Sequence, residues 1–208
     1  MITLQQARNN ADRLHQEATQ ALAKSKLLKL LGRYGQVVAE GSFAYGLMVY
    51  RDIDLMVVNP SISAKQVLEL AKHLLMSEHF RSANLYNYND VKKDSNFFRE
   101  GFPGDFYCGT RFYHNDEKWK VDIWLVKNQP GPENRAKTLE QFNWFDDKTQ
   151  EEKDAMLFLK ARLWEEGTYV HKGIGSFHVY RAVNEGIRGV EEFYKWMKDN
   201  YNYDRSKW

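Results

Sequence analysis

Cysteine and proline are scarce in this chain of 208 residues, which holds one cysteine and four prolines. The single cysteine, Cys108, cannot form a disulfide within the chain and suits a reducing compartment. The sequence lacks any apolar run long enough to cross a bilayer, and its amino-terminal stretch is polar. These absences predict a cytoplasmic protein that has no membrane partner.

The residue patterns of several common enzyme classes are missing as well. The sequence has no cysteine and histidine cluster with the spacing of zinc ligands and no G-x-x-x-x-G-K-[ST] phosphate-binding loop. It also lacks the G-x-S-x-G turn of serine hydrolases, and the run Gly173-Ile174-Gly175-Ser176 fits neither glycine motif. The formal net charge of +2 is close to balance, which neither requires nor excludes a nucleic-acid partner.

The most informative feature that is present is a pair of acids at the start of an apolar segment, within the stretch 37–58. Side chains of a strand alternate between its faces, so Asp52 and Asp54 are expected to project together while Ile53 and Leu55 point into a core. Two carboxylates on one face repel each other unless a cation lies between them. Mg²⁺ takes oxygen ligands of this kind, so the pair predicts a divalent metal site.

An anion site is predicted immediately upstream. Gly41 and Ser42 follow a predicted strand, Gln36 to Glu40, and lead through a turn into a short helical segment. Backbone N–H groups at such a turn attract anions, and glycine lets a phosphate approach closely. An anion site beside a pair of metal-binding carboxylates is what a metal-chelated triphosphate requires.

The spacing of Gly41-Ser42 and Asp52-Ile53-Asp54-Leu55 resembles the signature of the polymerase-β-type nucleotidyltransferase superfamily. This resemblance implies a third carboxylate on a later, neighbouring strand, and Asp122 in the segment V-D-I is the candidate. Without the resemblance, a lone acid on a strand is usually a solvated side chain. The resemblance further implies that two Mg²⁺ ions, with Mn²⁺ as an alternative, are held by Asp52, Asp54 and Asp122.

The reaction implied by the resemblance is the transfer of a nucleoside monophosphate from ATP or another nucleoside triphosphate to an acceptor hydroxyl. Asp122 is then the general base. Lys118 and Lys120 share its face of the strand and are close enough to steer a phosphate or the acceptor, although exposed lysines on strands commonly just face solvent. The acceptor is left open among RNA, a small molecule, another nucleotide and a protein side chain. The absence of a pronounced basic run slightly favours a small or self-contained acceptor.

The carboxyl-terminal half adds a weaker resemblance. Lys160 interrupts an apolar run, so it either extends to solvent or reaches into a cleft to meet an anion, and the spacing alone favours solvent. Leu159-Lys160, a loop and then Gly175-Ser176 at a helix start are similar to template-independent members of the superfamily. This similarity implies that Lys160 and Ser176 bind the phosphates of the donor nucleotide and that Phe177 or Tyr180 stacks on its base. The alternative for Ser176 is that it only caps the helix.

The fold predicted is α+β: a small mixed β-sheet flanked by helices, followed by a helical carboxyl-terminal subdomain. The hydrophobic spacing and the capping residues predict these elements: one helix or two abutting helices over Leu4 to Leu31, a helix over Ala64 to Met76 capped by Ser63, a strand near Asn84 to Tyr88, a hairpin with strands Asp105 to Tyr113 and Lys118 to Val126, a helix over Glu133 to Phe145, a helix beginning near Thr149, and a last helix after Glu191. The turn residues Gln129 to Pro132 divide the chain into domains 1–128 and 129–208. Residues 80–104 form a long loop region that either contacts the acceptor or merely connects strands.

A function of a different class also fits these residues. The chain is small, and the loop region could block the cleft. The alternative is therefore a noncatalytic nucleotide-binding protein or an antitoxin-like interaction protein built on the same fold. Degenerate members are expected to lose one or more of the acids, and all three are present here, which favours an enzyme.

Overall fold

The computed structural model describes residues 1–89, 105–128 and 148–207. Its helices are α1 Leu4–Ser25, α2 Leu27–Leu31, α3 Gly41–Ala44, α4 Ala64–Met76, α5 Gln150–Glu165, α6 Ser176–Asn184 and α7 Val190–Tyr201. Its strands are β1 Gln36–Glu40, β2 Asp52–Val58, β3 Phe80–Asn87, β4 Phe106–His114 and β5 Glu117–Val126. The predicted α+β fold, with a mixed sheet, flanking helices and a helical carboxyl-terminal part, is confirmed.

The five strands form one sheet in the order β1-β2-β5-β4-β3. Strands β2 and β5 are parallel neighbours, whereas the other pairs are antiparallel. Alternation along β2 buries Ile53, Leu55 and Val57 in the core, as the sequence predicts. The parallel pairing sets the start of β2, Asp52 to Asp54, beside Lys120 to Asp122 of β5.

The β4–β5 hairpin is tighter than predicted. The sequence suggests a four-residue turn from His114 to Glu117, but His114, the last residue of β4, pairs with Glu117, the first residue of β5. Only Asn115 and Asp116 remain in the turn, both in the left-handed region with φ of 51° and 62°. Two residues with positive φ form the turn that matches the twist of an antiparallel hairpin, and asparagine and aspartate tolerate that conformation.

Several predicted helix boundaries are confirmed by their caps. The Ser63 hydroxyl accepts from the backbone of Gln66 and caps α4, and Thr149 caps α5 in the same way through Glu152. The amino-terminal segment forms two abutting helices, because Lys26 between them adopts a left-handed conformation with φ of 55°. Strand β3 begins four residues before the predicted Asn84, since the buried Phe80 packs edge-on against Phe112.

Helix α1 contacts both apolar cores of the molecule. Its first turns bury Ala7 and Ala11 against α5, α6 and α7, whereas its later turns, including Leu14 and Ala18, pack on the sheet with α2 and α4. The Arg8 guanidinium also pairs with Asp154 on α5 at 2.5 Å. This shared helix joins the core of the sheet to the core of the carboxyl-terminal helices.

Three predicted features lie outside the described residues. They are the boundary at 129–132, the helix over 133–145 and most of the region 80–104, whose described parts are β3 and the two residues after it. The division into domains 1–128 and 129–208 therefore stays a prediction. Among the residues described, none of the helices is both long and apolar enough to span a membrane.

Candidate active site

The acids of β2 and β5 lie next to each other at one end of the parallel pair. Asp54 is the register partner of Asp122, and Asp52 is the partner of Lys120. Residues directly opposite in neighbouring strands project on the same face of a sheet. Three carboxylates that are distant in sequence therefore share one small patch, together with the Lys120 ammonium.

Lys120 bridges two of these carboxylates. Its Nζ lies 2.6 Å from Asp122 Oδ2 and 3.2 Å from Asp52 Oδ1. Burial acts to lower the pKa of Lys120, but the charges of Asp52 and Asp122 more than offset it, so that the net shift is upward. The ammonium is thus held in its charged form by the acids around it.

The Asp52 carboxylate is held by Tyr50. The Tyr50 hydroxyl donates a 2.7 Å hydrogen bond to Asp52 Oδ2, and the Tyr50 ring stacks on Trp164 at a centroid distance of 4.8 Å. Asp52 Oδ1 is buried and accepts no hydrogen bond from the described residues, although Lys120 lies nearby. Burial raises the pKa of Asp52, and Lys120 opposes that rise. A buried carboxylate oxygen that, within the described chain, accepts no hydrogen bond and has a displaceable ammonium as its only nearby cation is well suited to a metal ion.

The Asp54 carboxylate packs against the turn after β1. Gly41 adopts a φ of +60°, and a methyl group built on it would overlap Asp54 Oδ2. Only glycine fits both the left-handed backbone and this close approach. Burial, together with the charges of Asp52 and Asp122, raises the pKa of Asp54 well above its usual range. The close contact joins the predicted phosphate turn to the predicted metal ligand.

The Asp122 carboxylate is oriented from the other side by Tyr107 on β4. The Tyr107 hydroxyl donates to Asp122 Oδ1 at 2.7 Å. It passes over Gly109, the register partner of Asp122, where an added Cβ would lie 2.5 Å from that hydroxyl. Burial, followed by the hydrogen bond to Asp122, raises the pKa of Tyr107. The phenol therefore stays protonated and donates.

Lys160 does not extend to solvent, so the preference drawn from its spacing is wrong. Its side chain is fully buried, and its Nζ donates to Ser42 Oγ at 2.6 Å, Leu47 O at 2.6 Å and Tyr180 OH at 3.2 Å. Three acceptors satisfy the three N–H groups of an ammonium. Burial acts to lower the pKa of Lys160, and the hydroxyls of Tyr169 and Tyr180 outweigh it, so the net shift is upward.

Ser176 belongs to the same cluster but does not cap α6. The cap position is Gly175, whose extended φ and ψ of −112° and 174° precede the first helical residue, Ser176. The Ser176 hydroxyl instead forms a 2.5 Å hydrogen bond with Tyr169 OH. Burial raises the pKa of Tyr169 to about 12, so this hydrogen bond persists at neutral pH. Ser42, Lys160, Tyr180, Tyr169 and Ser176 thus line one continuous polar cluster.

The two candidate base platforms differ in exposure. Tyr180 is buried, with its hydroxyl bonded to Lys160 and its ring 5.4 Å from the Lys160 ammonium. Phe177 is half-buried at the start of α6, where its ring contacts His178 and Tyr201 edge-on. Of the two rings, that of Phe177 has more surface left for a stacked ligand.

Sequence reasoning missed Tyr50 and Tyr107, whose hydroxyls bond to the acids, and Tyr169, which contacts Lys160 and Ser176. Tyr50 lies two residues before Asp52, so strand alternation could have placed it on the same face. Tyr107 reaches Asp122 only through the register of β4 and β5, which no local signal in the sequence reports. The position of Lys120 beside Asp122 was predicted, but its bridge to Asp52 was not.

The carboxylates do not form a ready-made metal cage. In the parts of the chain that the structure describes, no three aspartate, glutamate, histidine or cysteine side chains are arranged as a metal site. At the Asp52 and Asp122 pair, the Lys120 ammonium lies between the carboxylates. The donor set is all oxygen, which suits Mg²⁺ or Mn²⁺ and does not suit zinc or copper.

Comparison with known proteins identifies the fold. No protein-family model matches the sequence, and no curated protein matches it. Among solved structures, the chain is similar to the Cid1 poly(U) polymerase bound to Mg and 3′-dATP, with a TM-score of 0.51 and 17% identity over 81% of this chain and 48% of that one. It is also similar to a chain of the poly(A) polymerase complex GLD-2–GLD-3, with a TM-score of 0.53 and 12% identity over 97% of this chain and 64% of the other.

The chain thus spans about half to two thirds of the length of these solved chains. At such low identity, the likeness concerns the fold alone. On that level, the fold implied by the resemblance drawn from Gly41-Ser42 and the Asp52-Asp54 pair agrees with the fold of these solved chains.

Proposed function

We propose that this protein is a nucleotidyltransferase that moves a nucleoside monophosphate from a nucleoside triphosphate to an acceptor hydroxyl. The observation that carries the proposal is the meeting of Asp52, Asp54 and Asp122 beside the Gly41-Ser42 turn. The fold shared with poly(U) and poly(A) polymerases supports it, as does the Mg and 3′-dATP bound to the Cid1 enzyme.

Asp52, Asp54 and Asp122 would hold one or two Mg²⁺ ions, with Mn²⁺ as an alternative. The fit is supported by the all-oxygen donor set and by the buried Asp52 Oδ1, which accepts no hydrogen bond from the described residues. When bound, the metal neutralises charge on the phosphate oxygens and makes the acceptor hydroxyl more acidic. Tyr50 and Tyr107 keep the carboxylates aimed at the site through their 2.7 Å hydrogen bonds.

The acceptor is activated by proton transfer to Asp122. The hydroxyl oxygen of the acceptor forms a bond to the α-phosphorus as its proton passes to the Asp122 carboxylate. The bond between the α-phosphorus and the bridging oxygen breaks, and pyrophosphate leaves with that electron pair. Tyr107 donates to Asp122 Oδ1 before and after this transfer, and so fixes the orientation of the base.

Ser42 and the backbone of the Gly41 turn would bind the phosphates of the donor nucleotide. Ser42 Oγ accepts from Lys160, which leaves its own proton to donate to a phosphate oxygen. The three N–H groups of Lys160 already have acceptors within this cluster. Lys160 therefore acts through Ser42: it positions the Ser42 hydroxyl and adds a fixed positive charge to the site.

The second half of the donor site would come from α6. Ser176 is held by Tyr169, and its position beside the Lys160 cluster supports a contact with the triphosphate. Phe177, which is half-buried, supplies the ring on which the base stacks. Tyr180 contributes indirectly, because its hydroxyl accepts a hydrogen bond from Lys160.

The test is transfer of label from nucleoside triphosphates to pools of RNA, protein and small hydroxylated acceptors in the presence of Mg²⁺. Asp54→Asn should abolish the transfer. Asp12→Asn, which changes an exposed acid of α1 in the same way, should leave it unchanged. Metal-dependent nucleotide binding without turnover on any pool would favour the noncatalytic alternative, and the absence of both binding and transfer would end the proposal.

A further inference from the structure

Lys120 has an unusual position for a strand lysine. It precedes Asp122 by two residues on β5 and is the register partner of Asp52 on β2. Its ammonium lies 2.6 Å from Asp122 Oδ2 and 3.2 Å from Asp52 Oδ1, and so occupies the space between two carboxylates assigned above to metal. The side chain is 42% exposed, compared with 13% for Asp52 and 16% for Asp122.

The carboxylate patch needs positive charge when no metal is bound. Three acids packed together raise one another's free energy, and burial increases that cost. Within the described residues, Lys120 is the cation that forms ion pairs with these acids, whereas the hydrogen bonds of Lys160 go to neutral oxygens. A single ammonium on a flexible, half-exposed side chain can neutralise the acids, and it can also move away from them at a small cost in free energy.

We propose that Lys120 is an internal counter-ion, which holds the carboxylate patch together in the metal-free protein. A divalent cation displaces its ammonium on binding. The inference rests on the proposed function, because it takes Asp52, Asp54 and Asp122 as the metal ligands. Its consequence is competition: every metal ion that binds must first move the ammonium. Lys120 therefore weakens the affinity for metal while it stabilises the metal-free fold.

Direct binding of Mn²⁺, followed by electron paramagnetic resonance of the free ion, tests this competition without any measurement of activity. Lys120→Met should bind Mn²⁺ about tenfold more tightly than the wild type, or tighter still, because a like charge a few ångströms from the ion is removed. Lys120→Arg keeps the charge and should bind no more tightly than the wild type. Lys118→Met is the matched control, because it removes a lysine from the same face of β5 and should leave the affinity within about twofold.

Thermal unfolding provides a second readout. In the absence of metal, Lys120→Met should unfold at a lower temperature than the wild type. Saturating Mn²⁺ should raise the unfolding temperature of Lys120→Met by more than it raises that of the wild type. If Lys120→Met does not fold without metal, Lys120→Gln, which keeps a polar group, takes its place with the same expectations.

The outcomes separate this inference from the proposed function. If neither the wild type nor the Lys120 variants bind Mn²⁺, the assignment of the metal ligands fails. If all of them bind Mn²⁺ and the neutral Lys120 variants bind it equally well or more weakly than the wild type, the counter-ion role is wrong while the metal site stands.

Discussion

The Lys160 ammonium donates a 2.6 Å hydrogen bond to the Ser42 hydroxyl, across 118 positions of the chain. This contact joins α5 to the turn that follows β1, and it brings a fully buried positive charge to the predicted phosphate site. The same ammonium donates to Leu47 O, so the backbone after α3 is held as well. The helical part of the molecule therefore takes part in shaping the turn next to the acids.

Replacement of Lys160 should weaken the binding of the triphosphate while it changes the stability of the fold only slightly. Lys160→Met is expected to weaken the binding of Mg²⁺-triphosphate by about tenfold, because Ser42 loses its partner and the site loses a charge. The unfolding temperature should move by less than about 5 °C, since the lost hydrogen bonds are offset by the removal of a buried charge. Isothermal titration and thermal unfolding measure the two effects. Lys153→Met on the same helix is the control, and equal binding by both variants would contradict the role of Lys160.

Gly41 should not tolerate a side chain. Gly41→Ala places a methyl group on Asp54 Oδ2 in a left-handed backbone, so we expect transfer to fall by at least about 100-fold as the carboxylate is displaced. Gly46→Ala is the matched control, because Gly46 has a φ of +68° and no atom within 4 Å of an added Cβ. It should cost only the backbone strain of about 1 kcal/mol and retain activity. Similar losses in both variants would mean that the contact with Asp54 has no special role.

Loss of the Tyr107 hydroxyl should lower the turnover rate and leave nucleotide binding unchanged. Tyr107→Phe removes the hydrogen bond to Asp122 Oδ1, so kcat should fall about fivefold, which corresponds to a hydrogen bond of about 1 kcal/mol. The KM for the nucleotide should stay the same. Tyr113→Phe changes an exposed tyrosine of the same strand and should have no effect. A change in KM alone would place Tyr107 in nucleotide binding instead.

The stability of the carboxyl-terminal part should decline in mild acid through His178. The His178 Nδ1 accepts a 3.0 Å hydrogen bond from the Gly175 N–H, and burial lowers the pKa of this imidazole below its usual 6.5. The neutral ring is therefore favoured in the folded state, so its contribution is present above about pH 6.5 and is lost as the pH falls through the lower folded-state pKa.

A glutamine at position 178 keeps an acceptor for the same N–H but does not titrate in this range. The free energy of unfolding, measured by urea between about pH 5 and pH 8, should fall more steeply with acid in the wild type than in His178→Gln. The difference between the two proteins should be constant above about pH 7.5. Parallel curves over the whole range would show that His178 does not contribute.

Local signals in the sequence predicted much of the fold. The bounds of β1 and α4 agree with the prediction to the residue, because a strand ended by Gly41 and a helix started by a Ser63 capping box are both specified by neighbours in sequence. The alternation that sets Asp52 and Asp54 apart from Ile53 and Leu55 is likewise local.

What the sequence did not predict depends on contacts between distant elements. The buried position of Lys160 follows from acceptors on Ser42, Leu47 and Tyr180, and none of them is near it in sequence. The Lys120 bridge to Asp52 follows from the register of two parallel strands. Ser176, the residue expected to cap α6, is instead its first helical residue, because Gly175 takes the cap position.

Under the proposed function, Asp52, Asp54 and Asp122 together bind the divalent metal that carries the triphosphate. The most direct measurement is the anomalous scattering of Mn²⁺ in crystals soaked with Mn²⁺ and a nonhydrolysable triphosphate. We predict a peak in contact with carboxylate oxygens of all three acids, with the Lys120 ammonium moved away from it. A peak at another site, or no peak while the triphosphate is bound elsewhere, would contradict the claim.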